Sequence, residues 1–294
     1  MRYSLANSHL QIAIDSLGAE LKSARSTEGN REYLWQADPA YWGRTSPVLF
    51  PIVGRLTDNT AYVDSKPITL PQHGFARDLE FALATARENS LRFELASSEA
   101  TRANYPFDFT LAITYTLTDD MLAVDWEVVN SGTGTMPFSI GAHPGFSTAL
   151  EDGDVFEDYE VGFDHAKQYY VWPVTAQAQL DDRAVPFQGP LSSFDLEYRY
   201  FAVDALVFPN MQLSAVTLKS RKHGHGVRVD FPGFPEVALW TADGANKRSP
   251  FLCIEPWYGH ADLPGGPFEL RNKPGICLLP GGGVFKTGYK VRFF

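Results

Sequence analysis

Two stretches stand out for the chemistry their residues could do. In Phe251–Asp262 (FLCIEPWYGHAD), an apolar run from Phe251 to Ile254 delivers Glu255 directly into Pro256, with Trp257, Tyr258, His260 and Asp262 close behind. A carboxylate at the end of an apolar strand is either paired with a buried cation or kept for proton transfer, and carboxylates perturbed in clefts favour the second. In Ser139–Phe146 (SIGAHPGF), a strand ends in Gly-Ala-His-Pro, so small neighbours clear space around His143 and Pro144 stiffens its exit. A lone histidine is commonly a satisfied structural residue; these small neighbours point toward a site. Facing each other across one pocket, Glu255 and His143 would make a general base and a general acid.

Other positions could complete such a pocket. Leu70–Phe81 (LPQHGFARDLEF) is a polar, Gly-interrupted stretch between apolar ends, carrying His73, Arg77 and Asp78. Loops on a rigid scaffold are frequent homes for binding residues, although an Arg77–Asp78 pair could simply hold the loop. Arg55 closes the apolar FPIVGRL run, where a cation needs a carboxylate or a substrate hydroxyl as partner. Asp204 precedes Ala205–Phe208 and reads equally as a ligand contact or a strand-start cap. Trp257 suits stacking on a sugar ring or packing in a core. His260 and Asp262 support the site or supply loop polarity. Rival chemistries lack their signatures. There is no Gly-x-Ser-x-Gly elbow and no P-loop. His223 and His225 have no third ligand nearby in sequence and read as a solvated turn. A glycosidase needs two flanking carboxylates, and Glu255 alone is so placed.

The elements that must hold these residues are short strands. Tyr3–Ile14 reads as a hairpin split by Ala-Asn-Ser, Leu21–Ser26 as a strand, and Tyr33–Trp35 as a short aromatic one. Tyr41–Leu56, with its prolines, is edge or irregular structure. Asp58–Thr69 is a hairpin about Asp64-Ser65. From Leu91 to Asn130 three strands follow, with Leu111, Ile113, Tyr115 and Leu117 alternating against Thr110, Ala112, Thr114 and Thr116. Met136–Phe146 is expected to be one strand ending at His143. Residues 151–200 read as short strands and loops, and later strands fall at Ala205–Phe208, Met211–Lys219, Val227–Phe231, Val237–Thr241 and on both sides of Pro280–Gly283. No amphipathic helix exceeds about two turns. The expected architecture is all-β, a large antiparallel β-sandwich, with residues 1–294 as one domain.

Composition narrows the function classes. The 294 residues are 44% hydrophobic and carry a net charge of -10, which argues against nucleic acid as a partner. No run approaches the ~18–20 apolar residues of a membrane helix, and no signal-peptide pattern opens the chain. A soluble cytoplasmic protein without a membrane partner is expected. Cys253 and Cys277 both sit in apolar runs and read as core residues, not metal ligands. Oligomeric state is not legible.

The order GRL, HGFARD, GAHPGF, VDALVF, CIEPWYG resembles the aldose 1-epimerase (galactose mutarotase-like) family, most closely its branch of bacterial LacX-like proteins, over almost the whole chain. The resemblance implies the galactose mutarotase-like supersandwich fold, a small-molecule sugar substrate and no metal or other cofactor. It implies Glu255 as catalytic base and protonated His143 as acid, with His73, Arg55 and Asp204 contacting substrate. Two departures matter. Well-studied mutarotases carry Tyr in H-P-Y-F where this chain has Gly145. HGFARD is similar to the hexose-6-phosphate 1-epimerase branch, whose extra arginines Arg44 and Arg77 could supply here, yet its Arg-Gly-Gly-Ile-Pro segment is replaced by Arg44-Thr45-Ser46-Pro47. Three readings therefore stand: an aldose 1-epimerase (an isomerase of carbohydrate metabolism), a hexose-6-phosphate 1-epimerase, or a non-catalytic carbohydrate-binding protein.

Overall fold

Strand alternation decides what faces what. Along Phe251–Tyr258, Leu252 and Ile254 turn into the main hydrophobic core, whereas Cys253, Glu255 and Trp257 turn to the opposite face. The computed structural model describes residues 1–243 and 247–294. This strand runs through the smaller of the two large antiparallel sheets, in the order Leu206–Phe208, Glu236–Trp240, Phe251–Tyr258, Ile140–Ala142, Val48–Leu49. The larger sheet has nine strands, in the order Val185–Asp195, Tyr159–Val171, Ala215–Ser220, Gly226–Asp230, Val284–Phe293, Met121–Asn130, Phe109–Thr118, Ser90–Ala96, Ala82–Ala86. Its inner face contributes Leu111, Ile113 and Tyr115 with Leu122, Val124, Trp126 and Val128, all buried in the same core as Leu252 and Ile254. The result is the expected all-β sandwich of large antiparallel sheets.

The remaining sheets are small. Arg2–Ala6, Leu10–Asp15 and Glu20–Ser26 form a three-stranded sheet, and Thr60–Val63 pairs with Lys66–Thr69 as the anticipated hairpin. The one α-helix among the described residues is the single turn Glu99–Arg102, capped by Ser98. No described helix is long and apolar enough to cross a membrane.

Three expectations need correction. The Met136–Phe146 stretch is not one strand. Met136–Phe138 pairs with Cys277–Leu279, while Ile140–Ala142 and Gly145–Ser147 pair with Phe251–Tyr258. His143 sits in the gap between the last two pieces, because Pro144 has no N–H to give the ladder. Tyr33–Trp35 is no strand; it is tied to Gly145–Ser147 by a bridge at Leu34 and by the Trp35 N–H donating to Gly145 C=O at 2.9 Å. Residues 151–200 hold two long strands, Tyr159–Val171 and Val185–Asp195. Val185–Asp195 is mostly exposed on both faces and carries Pro186 and Pro190 at the sheet edge, so it lacks the alternation that marks a half-buried strand.

Candidate functional site

Pairing register brings the two principal residues together. Gly141 pairs with Trp257 and Gly145 with Cys253. The same register on both sides of the gap sets position 143 opposite position 255. His143 Nε2 lies 3.3 Å from Glu255 Oε2, and their side chains are 9% and 1% exposed. They form the floor of a cleft of about 480 Å³, walled by Trp42, Trp240 and Trp257 and bordered by Arg44, Arg55, Gln72, His73, Arg77 and Asp204. Every residue singled out in sequence for catalysis or binding thus borders one cavity. Trp257 follows Glu255 by two on the cleft face, and its ring lies so close over Gly141 that a Cβ there would come within 2.6 Å of it.

The His73 loop depends on two glycines. Gly74 has φ +69°, and a Cβ on it would fall 2.2 Å from the Phe50 carbonyl oxygen. Gly54 has φ +73° and lies against Ala261 with no room for a side chain. Its N–H donates to His73 Nδ1 at 3.1 Å, so the neutral ring carries its proton on Nε2. That N–H faces the Gln72 amide nitrogen at 3.3 Å, a donor it cannot pair with, and is left to serve an oxygen in the cleft. Arg55 donates to Gln72 Oε1 at 3.2 Å, Arg77 to the Gln72 carbonyl at 2.6 Å, and Arg44 to Asp78 at 2.8 Å. The envisaged Arg77–Asp78 contact is long, at 3.8 Å. Asp204 accepts the N–H of Ala205 at 2.9 Å, which is the strand-start cap, and it also borders the cleft.

Burial sets the charge state of the floor. Desolvation, with Arg77 and Arg44 nearby, pushes His143 down to about 3. Desolvation, reinforced by Asp204, drives the Glu255 carboxyl well above the usual carboxylate range. The Trp257 indole N–H pulls the other way, although its geometry falls short of a full hydrogen bond. Both shifts favour the neutral forms, a protonated Glu255 carboxyl and an unprotonated His143 ring. A low-dielectric floor disfavours both charges, so the protonated His143 that the resemblance implies as acid is not the form that burial favours. His73 is likewise held neutral, by burial and by the cations around it. Arg77 falls to about 10, through burial and then Arg44.

Several contributors escaped the sequence reading. Trp42 stacks on His143 with ring centroids 4.7 Å apart, and Trp240 meets the same ring edge-on at 5.6 Å. A Cβ at position 145 would stand 3.2 Å from the Trp42 ring, so glycine here leaves space that the indole occupies. Asp262 is a buried hub and more than loop polarity. Its Oδ2 accepts the Thr57 N–H at 2.8 Å, its N–H donates to the Arg55 carbonyl at 2.9 Å, and its C=O accepts from Leu180 at 3.0 Å. Lys273, 3% exposed, sits 3.5 Å from Asp262 Oδ1 and donates to the His260 carbonyl at 2.5 Å. Only the proximity of Asp262 to Glu255 hinted at this in sequence; Lys273 had no signal. His223 pairs with Asp154 at 2.9 Å, away from the cleft.

A family model described as aldose 1-epimerase matches residues 1–266. Protein LacX of Lactococcus lactis subsp. lactis is 38% identical over 290 residues, covering 95% of each chain. A galactose mutarotase related enzyme from Lactobacillus acidophilus superposes with a TM-score of 0.94 at 33% identity, covering 100% of this chain and 97% of that one. A putative glucose-6-phosphate 1-epimerase of Salmonella typhimurium is 56% identical over 46 residues, covering 14% of this chain and 16% of that one.

The Asp262–Lys273 pair yields a stability prediction. Removing one partner of a buried ion pair leaves the other uncompensated, at a cost of about 3–5 kcal/mol. Asp262→Ala should lose stability of that order in urea melts, and adding Lys273→Met should restore part of it. An Asp262→Ala chain as stable as the parent would contradict the hub.

Proposed function

Because the chain belongs to the aldose 1-epimerase family, we propose that it interconverts the α and β anomers of an aldose, with Glu255 as general base and His143 as general acid. The observation that carries this reading is the buried His143–Glu255 pair, 3.3 Å apart on the floor of a tryptophan-walled cleft. The whole chain, residues 1–294, would serve as one domain around that cleft.

Anomerisation consumes no proton overall, so a pair that shares one proton suffices. On sugar binding, hydroxyl donors to the Glu255 carboxylate favour its charged form, and the proton crosses to His143. Glu255 then takes the proton from O1 as His143 gives its proton to the ring oxygen O5. The C1–O5 bond breaks, C1=O forms, and rotation about C1–C2 turns the other face of the aldehyde to O5. Closure runs the transfers backward. The His73 Nε2–H and Arg55 are suited to hold substrate oxygens and stabilise charge as it develops. Asp204 and Arg77 would contact hydroxyls at the rim, and Trp257 offers an apolar wall for the ring.

A phosphosugar substrate is the second reading, supported by Arg44 and Arg77, which both border the cleft and both press on the His143 charge. The short match to a putative glucose-6-phosphate 1-epimerase is in line with it. A non-catalytic sugar binder would have no use for an acid/base pair held in proton-transfer range.

Each proton-transfer role is worth about 10²–10⁴-fold in rate. Glu255→Gln and His143→Asn should each lower kcat by that order, read by polarimetry from a pure anomer with the spontaneous rate subtracted. Parental turnover in either variant would sink the assignment. For substrate class, exchange NMR with glucose, galactose and their 6-phosphates should give the higher kcat/KM for the free sugars. A preference for the phosphates that Arg44→Ala abolishes would move the assignment to the second reading.

A further inference from the structure

Cys253 plays no part in these proton transfers, yet it lies against them. It precedes Glu255 by two residues on Phe251–Tyr258, so both side chains leave the strand on the cleft face. Cys253, Glu255 and His143 each offer a donor atom within 4.8 Å of the other two, and all three are buried. Glu255 Oε2, on a side chain only 1% exposed, makes no hydrogen bond. A cation bound between these groups would take up the lone pairs of Glu255 and His143 in place of a proton.

We propose that His143, Cys253 and Glu255 form a binding site for a thiophilic divalent cation of the zinc class, which occupies the cleft floor in competition with the sugar. Sulfur, imidazole nitrogen and carboxylate oxygen together are donors that suit Zn²⁺ and Cd²⁺. Mg²⁺ and Ca²⁺ prefer oxygen throughout. His143 and Glu255 border the cleft, and with Cys253 as third ligand a fourth position would remain for water, the pattern of an open tetrahedral site. Bond lengths of about 2.0–2.3 Å set tetrahedral ligand atoms roughly 3.3–3.8 Å apart, so the donors need to close by about 1 Å. Side-chain rotations of Cys253 and Glu255 can supply that. Binding displaces the thiol and carboxyl protons to solvent as the cation takes thiolate and carboxylate. The bound cation ties up both proton-transfer groups, so it acts as an inhibitor, not a cofactor.

The ligand geometry alone carries the site; its competition with sugar rests on the proposed function. The test therefore uses sugar-free protein. Titration with Cd²⁺ should produce a thiolate-to-metal ultraviolet charge-transfer band that saturates at one equivalent per chain, and Zn²⁺ should abolish the band by displacement. Cys253→Ser should lose the band and Cys277→Ser should keep it. His143→Asn should weaken Cd²⁺ binding at least about 10-fold, and it keeps the test open if Cys253→Ser fails to fold. No band in the parent, a band that survives Cys253→Ser, or unchanged affinity in His143→Asn would overturn the site. A chain that binds Cd²⁺ in this way but leaves anomers untouched would overturn the proposed function and not the metal site.

Discussion

Two titratable groups buried within 3.3 Å of each other are the constraint on which the site depends. Glu255 and His143 are opposed by strand register, and their surroundings deny either a cheap charge. In water these groups would part company near neutral pH, as carboxylate and a largely neutral imidazole. On the cleft floor, desolvation pushes the Glu255 carboxyl up and the His143 ring down, and in the proposed mechanism a ligand's hydroxyls make the charged form tolerable. In that mechanism, acid and base are two states of one unit, which a proton-neutral isomerisation can use in either direction.

The rest of the fold keeps that unit in place. Alternation along Phe251–Tyr258 sends Leu252 and Ile254 into the core between the sheets, which fixes Cys253, Glu255 and Trp257 on the cleft face. A slip of one residue would exchange the two sets. The broken strand around His143 is anchored at both ends, by Gly141 beneath Trp257 and by Gly145 beside Trp42. Behind the cleft, Asp262 and Lys273 join the Arg55 segment to the 259–262 loop. Gly54 then carries that order to His73 through one hydrogen bond.

Much of this was legible in sequence wherever one local rule sufficed. Alternation between Leu91 and Asn130 identified strands, and Asp64-Ser65 marked a hairpin. Glu255 and His143 showed themselves by apolar runs that end in a titratable residue. What depended on distant partners was hidden. The break at His143 arises from pairing with two separate segments. Val185–Asp195 is an exposed edge without a readable period. The stack of Trp42 on His143 joins residues 101 apart in sequence (143 − 42). The downward push on His143 follows from burial that no linear pattern reveals.

The charge state of the sugar-free pair can be measured directly. A ¹⁵N NMR titration of His143, assigned by its loss in His143→Asn, should report a neutral ring at pH 7 that remains neutral through pH 5 and protonates only toward about 3. An imidazolium at neutral pH, or a ring titrating near the ordinary value of about 6.5, would contradict the account of a single proton held on Glu255.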